Sequence, residues 1–228
     1  MKKMRTVESI LKQIKKKSRK KNKEGMARFG INAADAYGTS VWELRRIAKT
    51  IPKSRRLAED LWDSKVHEAR ILACLIDEPD KVTESQMDKW AGDFDSWDLC
   101  DQCCLNLWDK TEFAYKKAKE WVKSEQEFVR RAGFVMMAVL AVHDKKVPDT
   151  SFEQFFPLIK KYSTDERNFV KKAVNWALRQ IGKRSKALNK KAVNVAEQIK
   201  KLNTPTSKWI ANDALRELKS RRVLNRLA

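Results

Sequence analysis

Histidine is nearly missing from this chain, which carries His67 and His143 and no other among 228 residues. Each stands alone on a separate predicted helix. Cysteine is sparse as well: Cys100 and Cys103 form C-x-x-C, but Cys74 and Cys104 do not complete the second ligand pair that a structural zinc site needs. No metal and no other cofactor is expected, and the four thiols are read as small hydrophobes packing closely in a reducing compartment. Six glycines and five prolines leave few places for the turns of a sheet. No apolar run approaches a membrane span, and the opening MKKMRTVESILKQIKKK is cationic without the apolar core of a secretory signal. A soluble cytoplasmic protein, nucleoid-associated in a prokaryotic host, is the expectation.

Positive charge is what the chain has in excess. Its formal net charge is +20, with 42% hydrophobic residues, enough for a substantial core. The charge is segregated: residues 1–28 hold twelve Lys/Arg against two Glu, residues 183–228 thirteen against three acids, and residues 58–112 five against fifteen. Two cationic ends flanking an acidic middle suit a surface that grips a polyanion around a distinct chemical centre, and nucleic acid is the leading partner. Solvated helix faces account for many of the same charges. The run from Lys15 to Lys23 is read as a phosphate-binding patch.

Apolar positions recur near the 3.6-residue spacing almost throughout, which predicts an all-α protein of antiparallel helix pairs. Helices are expected near 5–17, 21–31, 41–51, 54–62, 65–77, 84–91, 96–109, 112–123, 127–143, 151–162, 166–182, 186–201 and 206–222. In the first, Val7, Ile10, Leu11 and Ile14 read as a face docked on the next helix rather than on a membrane. Ser40 with Glu43 and Thr83 with Gln86 read as capping boxes, Thr164 or Asp165 as the cap of the helix ending before Gly182, and Pro205 as the residue before the last helix.

Phe128-Val129-Arg130-Arg131-Ala132 recurs as Phe169-Val170-Lys171-Lys172-Ala173, a period of 41 residues. That period is HEAT-like, and residues 1–228 are expected to form one domain, a curved α-solenoid with a basic concave face walled by the long second helices. On the helical wheel Arg131 falls among Val135, Ala138 and Val142, while Arg130 is turned about 100° away. Lys172 takes the equivalent slot, with Trp176 and Arg179 beyond it. Arg131, Lys172 and Arg179 along one wall match what successive phosphates require. The alternative is that Arg131 neutralises a carboxylate such as Asp101 and that Lys172 and Arg179 are solvated.

Trp97 and Asp101 sit one helical turn apart on the side of Cys100, Cys104, Leu107 and Trp108, whereas Asp98, Gln102, Asn106 and Asp109 share the opposite, polar arc. A carboxylate on an apolar face is costly unless it is paired, hydrogen-bonded or offered a cation. Asp101 is therefore either a structural partner of an Arg or a helix N-terminus, or a functional group.

At these residues the sequence resembles the AlkD-type DNA glycosylases of the DNA alkylation-repair family, HEAT-like all-α proteins that release positively charged alkylpurines. The resemblance spans roughly residues 25–222 and is carried by Ser96-Trp97-Asp98-x-x-Asp101, similar to the family's S-W-D-x-x-D segment. It continues in Met26-Ala27-Arg28-Phe29, in Gly38-Thr39-Ser40 leading to Leu44-Arg45-Arg46, in Arg130-Arg131-Ala132, and in Lys172-Ala173-x-x-Trp176-x-Leu178-Arg179. The resemblance implies Asp101 as the catalytic carboxylate, Trp97 and Trp176 as aromatic walls, Arg131 as a phosphate contact near the site, and Arg45, Arg46, Lys172 and Arg179 as further backbone contacts. Phe29 stands where the resemblance leads one to expect a tyrosine; the ring is kept and the hydroxyl is gone.

The chemistry agrees with the scarcity of histidine. An alkylpurine that already carries positive charge leaves its sugar with little help from a general acid, and a carboxylate beside the deoxyribose stabilises the cation that forms. Two indoles would favour cationic bases over neutral ones. The resemblance implies duplex DNA, preferably alkylated, as the partner of a monomer needing no protein partner, and excision without insertion of the base into a deep pocket. Two other readings stand beside it: a non-catalytic HEAT-like module recognising bent or branched DNA, and a protein-binding scaffold, against which the charge of +20 argues. Charge alone does not separate DNA from RNA.

Overall fold

The computed structural model describes residues 6–227; Lys2, Lys3 and Arg5 of the cationic opening, and the first position of the expected 5–17 helix, lie outside them. Among the described residues there is no strand, and the helices form two compact units, Met1–Thr111 and Glu112–Ala228. The first contains α1 (Val7–Lys16), α2 (Lys20–Arg28), α3 (Val41–Ala48), α4 (Arg55–Asp63), α5 (His67–Ile76), α6 (Glu84–Gly92) and α7 (Trp97–Asn106), with 3-10 turns at Pro79–Lys81 and Trp108–Lys110. The second contains α8 (Ala114–Trp121), α9 (Glu127–His143), α10 (Thr150–Glu153), α11 (Phe156–Lys161), α12 (Asn168–Gly182), α13 (Lys186–Lys201), α14 (Pro205–Leu218) and α15 (Arg221–Leu227).

The expected all-α class and most helices are present, and the departures are local. The helix expected over 151–162 is two, α10 and α11, parted at Gln154 and Phe155 just before Pro157, which occupies the first turn of α11. The one expected over 206–222 is also two, so Pro205 opens the penultimate helix rather than preceding the last. Thr204 and Ser207 there make a complete capping box. Ser40 and Thr83 cap α3 and α6 as expected, but their boxes are half-formed: Glu43 pairs with Arg46, and Gln86 turns to Asp77. Neither Thr164 nor Asp165 caps α12; Arg167 holds that position, and Asp165 accepts from the Arg167 backbone N–H two residues away. An Asp placed that far ahead of a helix shapes the loop instead of the first turn.

In the first unit α5 is the hub, packing against α1, α3, α4 and α7 and burying eight of its ten residues. Trp62 of α4 stacks on Trp90 of α6 with ring centroids 4.0 Å apart and planes within 3°, and its indole N–H donates to Asp93 at 2.8 Å. In the second unit the two repeat copies lie side by side: α9 packs along α12, the Phe128 and Phe169 rings are 5.5 Å apart, and Arg131 donates to the Phe169 carbonyl at 2.7 Å. A 41-residue repeat thus becomes a lateral helix contact.

Where α12 ends, Gly182 lets three helices converge. A Cβ there would lie 2.7 Å from Ala192 Cβ of α13 and from Leu218 Cδ2 of α14. Buried Asn189 uses its amide to donate to the Gly182 and Leu218 carbonyls at 3.0 and 3.2 Å, closing two helix C-termini that packing hides from water. Gly182→Ala is expected to destabilise the chain by about 1–3 kcal/mol through overpacking, read as a lower urea midpoint at unchanged slope; an unchanged midpoint would mean the three helix ends have room to spare.

Candidate functional site

Helix α7 begins at Trp97 and buries Leu99, Cys100, Asp101, Cys103 and Cys104. Asp101 is 8% exposed, on the apolar side as its spacing requires, and Trp97 one turn earlier is half-buried. All four thiols are buried and none is in a disulfide, with Cys74 Sγ of α5 2.7 Å from Cys103 Sγ. Burial, reinforced by the neighbouring thiols, pushes Cys103 and Cys104 well above the usual thiol range, so they remain protonated fillers around the Asp101 turn.

The opposite arc is not the solvent face the wheel suggested. Asp98 turns inward to α5, where its Oδ2 lies 2.9 Å from Nε2 of His67, itself 6% exposed. Asp98, Gln102, Asn106 and Asp109 are all half-buried.

What anchors the start of α7 is the irregular segment between α2 and α3. Trp97 Nε1 donates to the Phe29 carbonyl at 2.8 Å, the Asn32 backbone N–H donates to Ser96 Oγ at 3.0 Å, and the Asn32 amide donates to Asp95 at 2.8 Å. Ser96 consequently spends its hydroxyl on this segment and makes no side-chain cap bond for its own helix. Phe29 is left 68% exposed next to Trp97. The far end of the segment is held by Glu68 of α5, 1% exposed, whose carboxylate accepts from the backbone N–H groups of Tyr37, Gly38 and Thr39 at 2.6–3.0 Å. Gly38 has φ +87°, and a Cβ there would lie 2.6 Å from the Arg19 carbonyl, so glycine is required on two counts.

The structure thus brings the Phe29 carbonyl to the Trp97 indole, one helical turn before Asp101. Arg45 and Arg46 are on the exposed side of α3, with the Arg46 guanidinium 4.9 Å from the centre of the Trp42 ring. In the second unit Lys172 is exposed and Trp176 half-buried on α12. Arg179 is engaged by Glu217 at 2.5 Å and Asp213 at 3.6 Å. Arg131 is 6% exposed, but so nearly is Arg130, at 8%, which the wheel turned away from the apolar group. Arg130 is accommodated because every part of its head is met: by the Ser124 carbonyl, by Asp165 and Glu125, and by the Tyr162 ring 4.8 Å away. Val142, placed with the apolar group, is 39% exposed at the end of α9.

Residues 10–218 match the model of a family described as DNA alkylation repair enzyme. The chain belongs to that family. It is 24% identical over 180 residues to an uncharacterised protein of Listeria innocua, covering 78% of each chain. With an uncharacterised protein of Listeria monocytogenes the identity is 23% over 175 residues, 75% of this chain and 76% of the other. A solved structure described as a new family of proteins related to the HEAT-like repeat DNA glycosylases, with affinity for branched DNA structures, superposes with a TM-score of 0.78 at 20% identity, covering 94% of this chain and 96% of that one. The expected HEAT-like fold is therefore this member's fold. No helix among the described residues is long and apolar enough to cross a membrane.

Sequence reasoning singled out Asp101 but missed the other buried carboxylates of this repair-family member. Glu68 is one; Asp77 is another, 0% exposed and met by Gln86 at 2.7 Å, by the Glu78 backbone N–H at 2.8 Å and by Arg55 at 3.4 Å. The signal for Glu68 was Gly38-Thr39-Ser40, a tight turn whose N–H groups needed an acceptor. The His67–Asp98 pair carries a pH dependence. Burial opposes the charged imidazole, but the Asp98 hydrogen bond and the Asp98, Glu68 and Asp95 charges outweigh it and hold the pKa above 6.5. A folded-state pKa above the unfolded value means full stabilisation below about pH 6.5 and its loss as pH rises through the folded value. Urea midpoints should fall across that window in the wild type but not in His67→Gln; a flat wild-type profile would remove the charged pair from the account.

Proposed function

We propose that this chain is a DNA glycosylase that excises positively charged N3- or N7-alkylpurines from duplex DNA, with Asp101 as the carboxylate that stabilises the departing sugar's positive charge. The observation that carries this reading is the burial of Asp101 on the helix headed by Ser96-Trp97-Asp98, in a member of the DNA alkylation repair enzyme family.

As the glycosidic bond lengthens, positive charge moves onto the deoxyribose. A carboxylate about 4 Å from that charge, at an effective dielectric near 20, contributes about 4 kcal/mol, roughly a thousandfold in rate. The burial of Asp101 and the protonated Cys104 thiol near it limit screening by water. Asp101 also orients the water that attacks the sugar. Trp97, fixed by its bond to the Phe29 carbonyl, presents an indole to a cationic base or sugar, and exposed Phe29 adds a second ring without a hydroxyl. In the second unit we assign Trp176 to the same aromatic role, and Arg131 and Lys172 to backbone phosphates; Arg45 and Arg46 extend the grip from α3. Arg179, shared between Glu217 and Asp213, has less charge to offer DNA than Lys172 does.

A second reading, a non-catalytic module for bent or branched DNA, is favoured by one observation: the superposable HEAT-like structure is described as having affinity for branched DNA. One experiment separates the two. On methylated duplex DNA the wild type is expected to release 7-methylguanine or 3-methyladenine well above the spontaneous rate, and Asp101→Asn to be slower by about a thousandfold at unchanged DNA affinity. Wild-type release at the spontaneous rate, with DNA still bound, rejects the glycosylase and leaves the binding module.

A further inference from the structure

The end of the second unit holds a concavity of about 550 Å³ among α12, α14 and α15, faced by five cations, Arg179, Lys183, Arg216, Arg222 and Arg226, and two carboxylates, Asp213 and Glu217. The acids are already taken. Glu217 is bridged by Arg179 and Lys183, each at 2.5 Å, and Asp213 is met by Arg216 and by the Asn175 amide. Burial pushes the Glu217 carboxyl up, but Lys183 and Arg179 outweigh it and hold it below its ordinary range, so it stays ionised. Five positive groups against two negative ones leave a surplus of three in one hollow.

The spare donors can be named. Arg222 is exposed and makes no hydrogen bond or ion pair among the described residues; Arg226 uses one nitrogen on the Lys183 carbonyl at 2.8 Å; Arg179 Nε is buried without a hydrogen-bond partner. Guanidinium forks in surplus match an oxyanion with several oxygens, and the volume exceeds what a single ion fills. We infer that this pocket receives a backbone phosphodiester of bound DNA, through Arg222 and Arg226 first. The inference rests on the DNA-binding reading above and extends it to a hollow outside the proposed catalytic residues, one that confers grip without sequence preference.

The test uses the full chain and an unmodified duplex, with affinity followed against salt. The double variant Arg222→Ala/Arg226→Ala should make the slope of log affinity against log salt less steep by about two, and weaken unrelated sequences alike. Lys145→Ala/Lys146→Ala, which removes the same charge from the exposed loop after α9, should leave the slope near wild type. Arg222→Glu alone provides a variant with no hydrogen bond or ion pair in the fold to lose, and should weaken binding more than Arg222→Ala. An unchanged slope in the double variant with wild-type binding intact overturns this inference alone; absence of wild-type binding at low salt overturns the DNA reading with it. Pyrophosphate titrated in place of DNA separates the sources of phosphate: if the double variant loses pyrophosphate binding while its DNA slope stands, the hollow serves a free phosphate compound and the inference fails.

Discussion

Everything at the proposed catalytic end of the first unit depends on how a segment with no helix of its own, running from Phe29 to Thr39, is held against α5 and α7. Such a segment is stable next to a core only if its backbone groups find partners. Glu68 gathers three consecutive N–H groups at one end, the His67 backbone N–H donates to the Asp35 carbonyl at 3.0 Å in the middle, and Ser96, Asp95 and Trp97 take the other end. The result is a strap whose first residue, Phe29, is delivered to the first turn of α7. The motif Ser96-Trp97-Asp98-x-x-Asp101 is therefore only partly about Asp101: its serine and tryptophan fasten the strap, and its first aspartate fastens the helix to His67.

Buried carboxylates are the recurring expense of this fold, and each is answered differently. Glu68 is answered by backbone N–H groups and Asp77 by an amide, a backbone N–H and an arginine. Burial of an acid alone is consequently a weak sign of catalysis in this protein. Asp101 is distinguished by its place on α7, beside the protonated Cys104 thiol and one turn after the Trp97 indole.

The second unit shows the same economy with cations. Arg130 and Arg131 are adjacent in sequence and both buried, yet the first is met by carbonyl, carboxylate and ring while the second caps the repeat contact at Phe169. Lysines at the equivalent positions of the other copy, Lys171 and Lys172, keep to the surface, Lys171 over Trp209 at 5.6 Å and Lys172 in solvent. The repeat conserves position along the helix; the layer outside it decides how deep that position lies.

Helix class, the 41-residue repeat, most helix starts and the inward direction of Asp101 were legible in the chain itself, because hydrophobic periodicity and capping are local and one face of a helix can be counted residue by residue. The fate of Arg130, the inward turn of Asp98 toward His67, the splitting of two helices of the second unit and the gathering of Arg179, Lys183, Arg222 and Arg226 around one hollow were decided by tertiary structure. A wheel assumes one core and one solvent side, whereas α9 buries thirteen of its seventeen residues and α7 turns Asp98 inward; Asp98 and Arg130 find His67 and Asp165 more than thirty positions away, where no local pattern can name them.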